Sequence, residues 1–593
     1  MISIPRLRVL LVCALGASAC SFGLNRYFGA GWGGMAAFLC CFLLFVICAA
    51  LQPGKRDTAA CLLMGGAFGV MHTIGYSYDT LNSYGMIMRN METFFSGVYG
   101  MAALTLVAGC VCFLLVRLMD VLRDSLIRRE CADKQDRAKI FLISAVLIFM
   151  GSVPYLLLYA PGLNIYDTRD QLLQFFGYPS YIGDGSALSD HHPVFLTLVY
   201  GGFMKLGLML GSVNIGQMLY SLLSMAIIAL CWAYALCTLY DCGLNKKACM
   251  GLAVFIALYP VFALYAFNMC KDVSASPFVI LYAAQMVQLH RTRGEKIKQR
   301  SFCVMLFINM LMLMLTRKPS MYALAFAAVF AVIAFKGVRL RLCAVMLGAV
   351  CLFQFGYNGV ILPAMGVIPG ETREMLSIPF QQTARYMNTY PQDITLQEME
   401  AVSNVLDVER SIPLYNPRLS DPVKDTSNPD LGSGLKDYIS AWISMGIRHP
   451  GVYLDAWLNM IYGYFYPSDS NTILCLTLNS PDQGEIVLRQ NPSLRSAQIT
   501  FHDTFYLVVR KIPGIGMLFY VNTVTWAFLF LLIEILRREG WRGAMPWMFF
   551  FGTLGICMLS PKSGEIRYLM PILYALPVMF GAAILSGKRE PNE

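Results

Sequence analysis

The 593-residue chain has little charge, because Asp, Glu, Lys and Arg together make up only 14% of it. In soluble domains these four residue types make up about 25% of the sequence. Hydrophobic residues account for 57% of the chain. This balance excludes a single soluble domain and predicts a protein that crosses a membrane many times.

Several motifs are also missing from the sequence. It has no Walker-type phosphate loop, no glycine fingerprint of a dinucleotide-binding fold and no internal repeat. The 19 cysteines include no CxxC pair and mostly fall inside apolar stretches, with Cys475 the clear exception in a long polar region. A nucleotide-binding domain, a CxxC metal site and a disulfide framework are therefore not predicted.

Long apolar stretches are abundant instead. Most are long enough to cross a hydrocarbon core of about 30 Å as a helix, and 302–316 is the short one. They lie at about 8–24, 34–51, 59–76, 96–116, 139–160, 214–240, 248–267, 273–289, 302–316, 320–335, 342–357, 516–536, 545–560 and 568–586. The predicted fold is an all-α polytopic membrane protein with about 14 transmembrane helices, external interfacial helices and one large external loop region.

Basic residues predict the orientation. More than half of the 46 Lys and Arg residues fall in short loops that share one side if both termini are cytoplasmic. This bias follows the positive-inside rule and explains the net charge of +10 without nucleic acid. Residues 5–20 resemble a signal peptide, but the loop charges alternate correctly when this stretch counts as an uncleaved span. The predicted location is the plasma membrane, with the long loops outside.

The span pattern divides the chain into four regions. They are an N-terminal four-span region (1–138), a transmembrane catalytic core (139–357) with an external acidic loop (161–213), an external loop region or cap (358–515) and a C-terminal three-span region (516–593). Counting 193–213 or 450–466 as further spans would place basic loops outside. Both stretches are therefore predicted to be interfacial helices, with Lys205 of the first at the surface.

The polar segment 164–193 concentrates ionisable residues at the end of a span. A solvated loop would explain any one of them. Five within about 25 residues of a charge-poor chain favour a functional site, because ionisable groups beside a bilayer are costly unless they face water or a partner. The five are Asp167, Asp170, Asp190, His191 and His192.

Three short external corners bring cations to the same predicted face. Each cation on its own could be explained as a lysine or arginine whose charged end lies at the membrane interface. Their position on the disfavoured side of the membrane instead indicates an anionic ligand held between them. The residues at these corners are Lys271, Asp272, Arg317, Lys318, Lys562, Arg567 and Tyr568.

The external region 358–515 is rich in Pro, Gly and polar residues. Its stretch 374–392 mixes amide, basic and aromatic side chains, so Gln381 and Arg385 are predicted to enter the cavity, with a cap packed on itself as the alternative. A helix over 395–409 is predicted to start at Thr395, because Glu398 completes a capping box.

The order of these features resembles the C-type glycosyltransferase superfamily, which includes lipid-linked protein mannosyltransferases and aminoarabinose transferases. The resemblance covers roughly residues 139–360, where a span, an acidic loop, His192-Pro193 and an interfacial helix follow one another. Arg567-Tyr568 near the last span is a weaker similarity. Many members have two adjacent acids where this chain has Asp167-Thr168-Arg169-Asp170, which leaves two candidates for the catalytic carboxylate.

The resemblance implies a bacterial envelope enzyme that moves a sugar from a polyprenyl-phosphate donor to an external glycan, lipid or protein. In such an enzyme a carboxylate deprotonates the acceptor hydroxyl while cations stabilise the departing phosphate. Asp167 is the first choice of base and Asp170 the second. Lys271, Arg317, Lys318 and Arg567 are candidate phosphate ligands.

A cofactor is not required by this reading. Asp190, His191 and His192 could orient the base, bind the sugar or hold a divalent metal, although adjacent histidines rarely bind one ion together. The predicted partners are the lipid-linked sugar, the acceptor and the bilayer.

Two other classes remain open. A polysaccharide polymerase or ligase also combines many spans with a large external loop, but would use arginines and a histidine there. A transporter or flippase of envelope lipids would place polar residues at mid-membrane in broken helices. The polar clusters of this chain sit at one face, which favours the enzyme.

Overall fold

The computed structural model describes residues 4–29, 34–128, 132–428, 431–432, 434–467, 474, 476–512 and 514–587. These residues are mostly helical, so the prediction of an all-α membrane protein is confirmed. Cys475, Lys588 and Arg589 lie outside them.

Five helices form the N-terminal region. They are α1 (Ile4–Phe28), α2 (Met35–Leu51), α3 (Lys55–Leu81), α4 (Gly85–Met88) and α5 (Met91–Leu126). Small residues let α3 and α5 approach closely, since a side chain at Gly65 would meet the Thr105 carbonyl oxygen at 2.4 Å.

The central region contains twelve helices and two short strands in its described residues. In chain order they are α6 (Lys134–Leu158), β1 (Leu163–Asn164), α7 (Tyr166–Phe175), α8 (Val194–Met209), α9 (Val213–Asp241), α10 (Lys246–Leu258), α11 (Pro260–Tyr265), β2 (Asn268–Met269), α12 (Lys271–Ser274), α13 (Ser276–Arg291), α14 (Arg300–Thr316), α15 (Ser320–Ala334), α16 (Arg339–Cys351) and α17 (Leu362–Ala364). A π-helical stretch, Leu352–Ile361, joins the last two.

The remaining helices build the cap and the C-terminal region. The cap and the segment after it contain α18 (Ser377–Thr389), α19 (Leu396–Ser403), α20 (Val408–Leu414), α21 (Asp421–Lys424), α22 (Gly434–Arg448), α23 (Pro450–Ile461) and α24 (Arg495–Asp503). The C-terminal region contains α25 (Val521–Glu539), α26 (Trp541–Ala544), α27 (Met548–Cys557) and α28 (Ile566–Leu585).

Seven helical segments of the described residues are long and apolar enough to cross a membrane. They are Leu7–Phe28, Lys55–Leu81, Met91–Leu126, Lys134–Leu158, Val213–Asp241, Lys336–Ala364 and Ile566–Leu585. Four shorter apolar helices accompany them: Met35–Leu51, Val194–Met209, Arg300–Thr316 and Ser320–Ala334. The predicted stretch 248–267 is interrupted, because Pro260 cannot donate a backbone hydrogen bond and begins a new helix.

The predicted cytoplasmic loops meet at one end of the helix bundle. The Arg128 amide donates to the Gly243 carbonyl at 2.8 Å, and Arg341 donates to the Lys298 carbonyl at 3.1 Å. His290 pairs with Glu539 at 2.5 Å. Loops that the charge pattern assigned to the same side therefore contact one another.

The cap lies at the opposite end, on the ends of α3 and α28. The Tyr78 hydroxyl donates to Asp455, Arg418 lies 3.3 Å from Asp79, and the Ser420 amide donates to the Pro561 carbonyl at 2.8 Å. The capping box of Thr395 and Glu398 is confirmed, although α19 ends at Ser403 and not at 409.

The structure divides the predicted region 358–515 differently. Its start falls inside a helical segment that continues to Ala364. Its last part leaves the cap and returns to the core, where Ile486 and Leu488 pack with Leu172 of α7 and Tyr200 of α8. Only the part between these segments packs as a separate cap, around Phe380 and Tyr438. Segment 486–488 packs against the core because this contact removes its apolar side chains from water.

Candidate functional site

A short parallel pairing sets the geometry of the candidate site. Leu163 of β1 pairs with Asn268 of β2, and Asn164 pairs with Met269. Gly162 precedes β1 with φ 149°, and a side chain there would meet the Ser221 hydroxyl oxygen at 2.3 Å, so this close approach requires glycine. The pairing brings together the chain segments that carry Asp167 and Lys271.

The Asp167 carboxylate lies between two cations. Lys271 Nζ is 2.8 Å and Arg567 Nη1 is 3.3 Å from Asp167 Oδ2. Burial alone would raise the pKa of Asp167, but the attraction of Lys271 and Arg567 outweighs it and holds that pKa well below its usual range. Asp167 is therefore ionised, and two of the four predicted phosphate ligands surround it.

His192 contacts Lys271 next to this ion pair. Its Nδ1 lies 3.3 Å from Lys271 Nζ, and the residue is 5% exposed. Burial, followed by the positive charge of Lys271, lowers the pKa of His192 well below its usual value. A neutral ring can accept a hydrogen bond from the lysine and so orient the ammonium group towards Asp167.

Asp170 lies one helical turn beyond Asp167 in α7. Burial raises its pKa to about 6, against the attraction of Arg169, whose Nη1 is 3.7 Å from Asp170 Oδ1. That oxygen is buried and has no hydrogen-bond partner among the described residues. Asp170 thus combines a free lone pair with a pKa close to neutrality, which suits a general base.

Two other predicted ligands form an internal ion pair. Arg317 Nε lies 2.9 Å from Asp272 Oδ1, and both side chains are 3% exposed. Arg317 also donates to the Tyr568 carbonyl at 3.1 Å. The prediction that Arg317 and Asp272 bind substrate is not supported, because burial and mutual pairing occupy both groups.

Lys318 and Asp190 pair at the neighbouring corner. Lys318 Nζ lies 2.9 Å from Asp190 Oδ2 and also donates to the Asp190 carbonyl. Burial raises the pKa of Asp190 and the Lys318 charge opposes this rise. The contact ties the acidic loop to the corner between α14 and α15, so it positions His191 and His192.

Gln381 and Arg385 lie in the cap and not beside Asp167. Gln381 donates to the Asn416 carbonyl at 2.8 Å, and Arg385 pairs with Asp455 at 3.2 Å and with the Tyr415 hydroxyl. The prediction that they enter the cavity is wrong, since the cap packs on itself and buries this face of α18.

A cavity of about 570 Å³ is lined by Arg567 and by Tyr166, the residue before Asp167, although Asp167 and Lys271 are not part of its lining. Arg567 belongs to both features, because it contacts Asp167 and lines the cavity. Lys562 and Glu565 line it as well and pair at 2.6 Å, while the Arg567 guanidinium lies 5.9 Å from the centre of the Tyr568 ring. The other walls are largely apolar and aromatic, including Ile165, Tyr166, Tyr265, Leu474, Leu476 and Ile499.

Four cavity residues were missed in the sequence. Arg495, Gln498, His502 and Tyr506 line the same cavity as Arg567. They follow one another at spacings of three and four residues in α24 and the turn after it, so they share one helical face. This helical spacing of polar and aromatic side chains was the available signal.

Comparison with known families gives one result. A family model described as a family of unknown function (DUF6020) matches residues 181–593. No curated protein and no solved structure matches the chain.

Proposed function

The chain belongs to the DUF6020 family, and we propose that it is an integral membrane glycosyltransferase. It moves a sugar from a polyprenyl-phosphate donor to an external glycan, lipid or protein of the cell envelope. The resemblance to C-type glycosyltransferases supports the reaction class. The observation that carries the proposal is the Asp167 carboxylate held between Lys271 and Arg567, the second of which lines a cavity of about 570 Å³.

The cavity suits a lipid phosphate. Its aliphatic and aromatic walls offer contact to the first isoprene units, and Arg567, Lys562 and Arg495 offer charge to the phosphate. Charge-assisted hydrogen bonds from guanidinium and ammonium groups to phosphate oxygens are among the stronger polar contacts in proteins. This pairing of an apolar wall with cations is typical of an amphipathic anion site.

The transfer step follows from these positions. A carboxylate takes the proton of the acceptor hydroxyl, the acceptor oxygen bonds to the anomeric carbon, and the bond from that carbon to the phosphate oxygen breaks. The phosphate leaves with the electron pair and is stabilised by Lys271 and Arg567. The proton then passes from the carboxylate to solvent.

The two candidate bases differ in pKa. Asp167 is a weak base while both cations hold it, because its pKa lies well below the usual range. A donor phosphate that draws Lys271 and Arg567 away would restore its basicity. Asp170 is poised near neutrality without a donor. We assign the base to Asp167, since it is in direct contact with the phosphate ligands, and keep Asp170 as the alternative.

The proposal includes about 14 spans, cytoplasmic termini and an external site in the plasma membrane. Cysteine labelling in intact cells tests this arrangement in a variant without reactive native thiols. An impermeant reagent should label a cysteine placed at 425 in the cap but not one at 298. The reverse pattern would place the site inside and overturn it.

The decisive experiment is mass spectrometry of envelope glycans, glycolipids and glycoproteins from cells with and without the gene. Loss of one hexose or pentose, restored by the wild-type chain but not by Asp167→Asn, is the expected result. An unchanged set of glycans would overturn the glycosyltransferase. Accumulation of a complete lipid-linked product on the cytoplasmic side would indicate a flippase instead.

A further inference from the structure

A second group of ionisable side chains lies between the acidic loop and the cap. His191 of the loop and Glu371 and Glu374 of the cap segment each offer one nitrogen or oxygen atom, and these three atoms lie within 4.8 Å of one another. The group is distinct from Asp167 and its two cations, and the proposed transfer reaction does not use it.

Backbone pairing brings the two segments together. The Asp190 amide donates to the Ile368 carbonyl at 2.8 Å, and the Ile368 amide donates to the Leu188 carbonyl at 2.8 Å. A side chain at Gly370 would meet the Asp190 carbonyl oxygen at 3.1 Å, so the chains are closely apposed. This contact holds His191 against the start of the following turn.

A short helix keeps the two glutamates close together. Residues Thr372–Leu376 form a 3₁₀ helix, for which Glu371 is the N-cap. Glu371 directly precedes this helix and Glu374 lies in its first turn, so only one turn separates them. Each offers an oxygen atom within 4.8 Å of the His191 ligand nitrogen.

Two buried atoms in this group have no hydrogen-bond partner among the described residues. They are His191 Nδ1 and Glu374 Oε1. The second oxygen of Glu374 accepts from Lys424 Nζ at 2.8 Å. Buried polar atoms are rarely left unpaired, so a free nitrogen and a free carboxylate oxygen on two residues of this group indicate a ligand.

The surrounding charges also favour a cation. Arg373 pairs with Glu371, and Lys424 pairs with both Glu374 and Asp421. Asp425, which accepts from the Tyr181 hydroxyl, adds a further carboxylate near this group. Among these six side chains the four carboxylates outnumber the two basic groups, which favours binding of a cation.

We propose that His191, Glu371 and Glu374 bind one divalent transition-metal ion, Zn²⁺ or Mn²⁺, which joins the acidic loop to the cap. One imidazole and two carboxylates suit these ions, whereas Ca²⁺ and Mg²⁺ prefer oxygen ligands alone. Arg373 and Lys424 then act as outer partners that orient the two carboxylates. The ion holds in place the loop that also carries His192. The site stands whether or not the chain transfers sugars.

Metal binding by the full-length purified chain tests this site. After treatment with EDTA, the protein in detergent is dialysed against Zn²⁺ or Mn²⁺, and bound metal is measured by mass spectrometry. The wild type should bind about one ion per chain. His191→Ala, Glu371→Gln and Glu374→Gln should each weaken binding at least about tenfold, the lower end of the loss seen when even an outer partner is removed.

Glu400→Gln is the matched control, because Glu400 is an exposed glutamate of the cap outside this group. It should bind metal like the wild type. Gel filtration establishes that each variant is folded, and Glu374→Gln is the decisive one because it preserves the shape of the side chain. Pulsed electron paramagnetic resonance of the Mn²⁺-loaded wild type should show coupling to an imidazole nitrogen that His191→Ala removes.

Three results would overturn the site. They are no stoichiometric binding by the stripped wild type, equal binding by the three variants, and a nitrogen coupling that survives His191→Ala. Any of them leaves the glycosyltransferase untouched, because the envelope glycans report on that activity independently.

Discussion

Charged side chains form networks at both ends of the helix bundle, and the two networks differ in how completely their carboxylates are paired. At the predicted cytoplasmic end, Glu534 is fully buried and both of its oxygens accept from Arg537, while Arg538 bonds one of them. Arg537 also reaches Asp57 and Asp120. The carboxylates of this network have partners.

At the opposite end the pairing is incomplete. Asp170 Oδ1, Asp190 Oδ1 and His191 Nδ1 are buried without a hydrogen-bond partner among the described residues. A cavity adjoins Arg567 there. Leaving buried polar atoms unpaired costs free energy, so a fold tolerates them where a ligand or a reaction supplies the missing partner. For the carboxylates, the comparison indicates structural support at one end and chemistry at the other, while Arg117 Nε and Arg123 Nε at the first end are also buried without a hydrogen-bond partner among the described residues.

The largest expected effect is on stability, at the closed network. Glu534→Gln should lower the free energy of unfolding by up to about 3–5 kcal/mol, because Arg537 and Arg538 lose the fully buried carboxylate that they share and keep only Asp57 and Asp120. Thermal inactivation and denaturant titration in detergent measure it. Glu409→Gln, an exposed cap residue, is the control. Unchanged stability would show that the network does not support the fold.

The next effect is on turnover, at the open network. Asp167→Asn should reduce sugar transfer at least about a hundredfold, the lower end for loss of a general base. Asp170→Asn should cost less. Asp184→Asn is a control in the same loop, because Asp184 accepts only local bonds from Ser186 among the described residues. Full activity of Asp167→Asn together with an inactive Asp170→Asn would move the role to Asp170.

Removal of a cation should weaken donor use. Lys271→Ala or Arg567→Ala should cost about 1.5–3 kcal/mol in kcat/KM for the donor, the range for a hydrogen bond to a charged group. Steady-state kinetics with varied lipid-linked sugar measure the loss. Lys205→Ala, on the exposed side of α8, should have no effect. Equal kinetics in all three variants would remove the phosphate ligands from the proposal.

The smallest expected effect is on the pH profile. A base acts deprotonated, so activity falls about tenfold per pH unit below its pKa. Because the pKa of Asp167 lies well below its usual range, kcat/KM should have no acid limb between pH 5 and 8. A limb near pH 6 that disappears in Asp170→Asn would assign the base to Asp170, whose pKa is about 6.

Much of the fold was predictable because it depends on local composition. Apolar stretches long enough to cross a bilayer and the capping box of Thr395 need no distant partner to be recognised. The acidic loop was also visible, since its carboxylates and histidines are close in sequence. The wall residues Arg495 and His502 had a helical spacing that could have been read.

Only the tertiary structure decided which charges meet. Arg567 contacts Asp167, although the two residues are 400 positions apart in the chain. Arg317 was an equally plausible cation from the sequence, but it forms an ion pair with Asp272. Glu371 and Glu374 become neighbours of His191 because a backbone contact joins two distant segments. Composition and spacing determined that the chain lies in a membrane and carries an acidic loop, because helix formation and burial of apolar side chains are properties of short stretches. The partners of each carboxylate depend on the packing of helix ends, and that packing is a property of the whole fold.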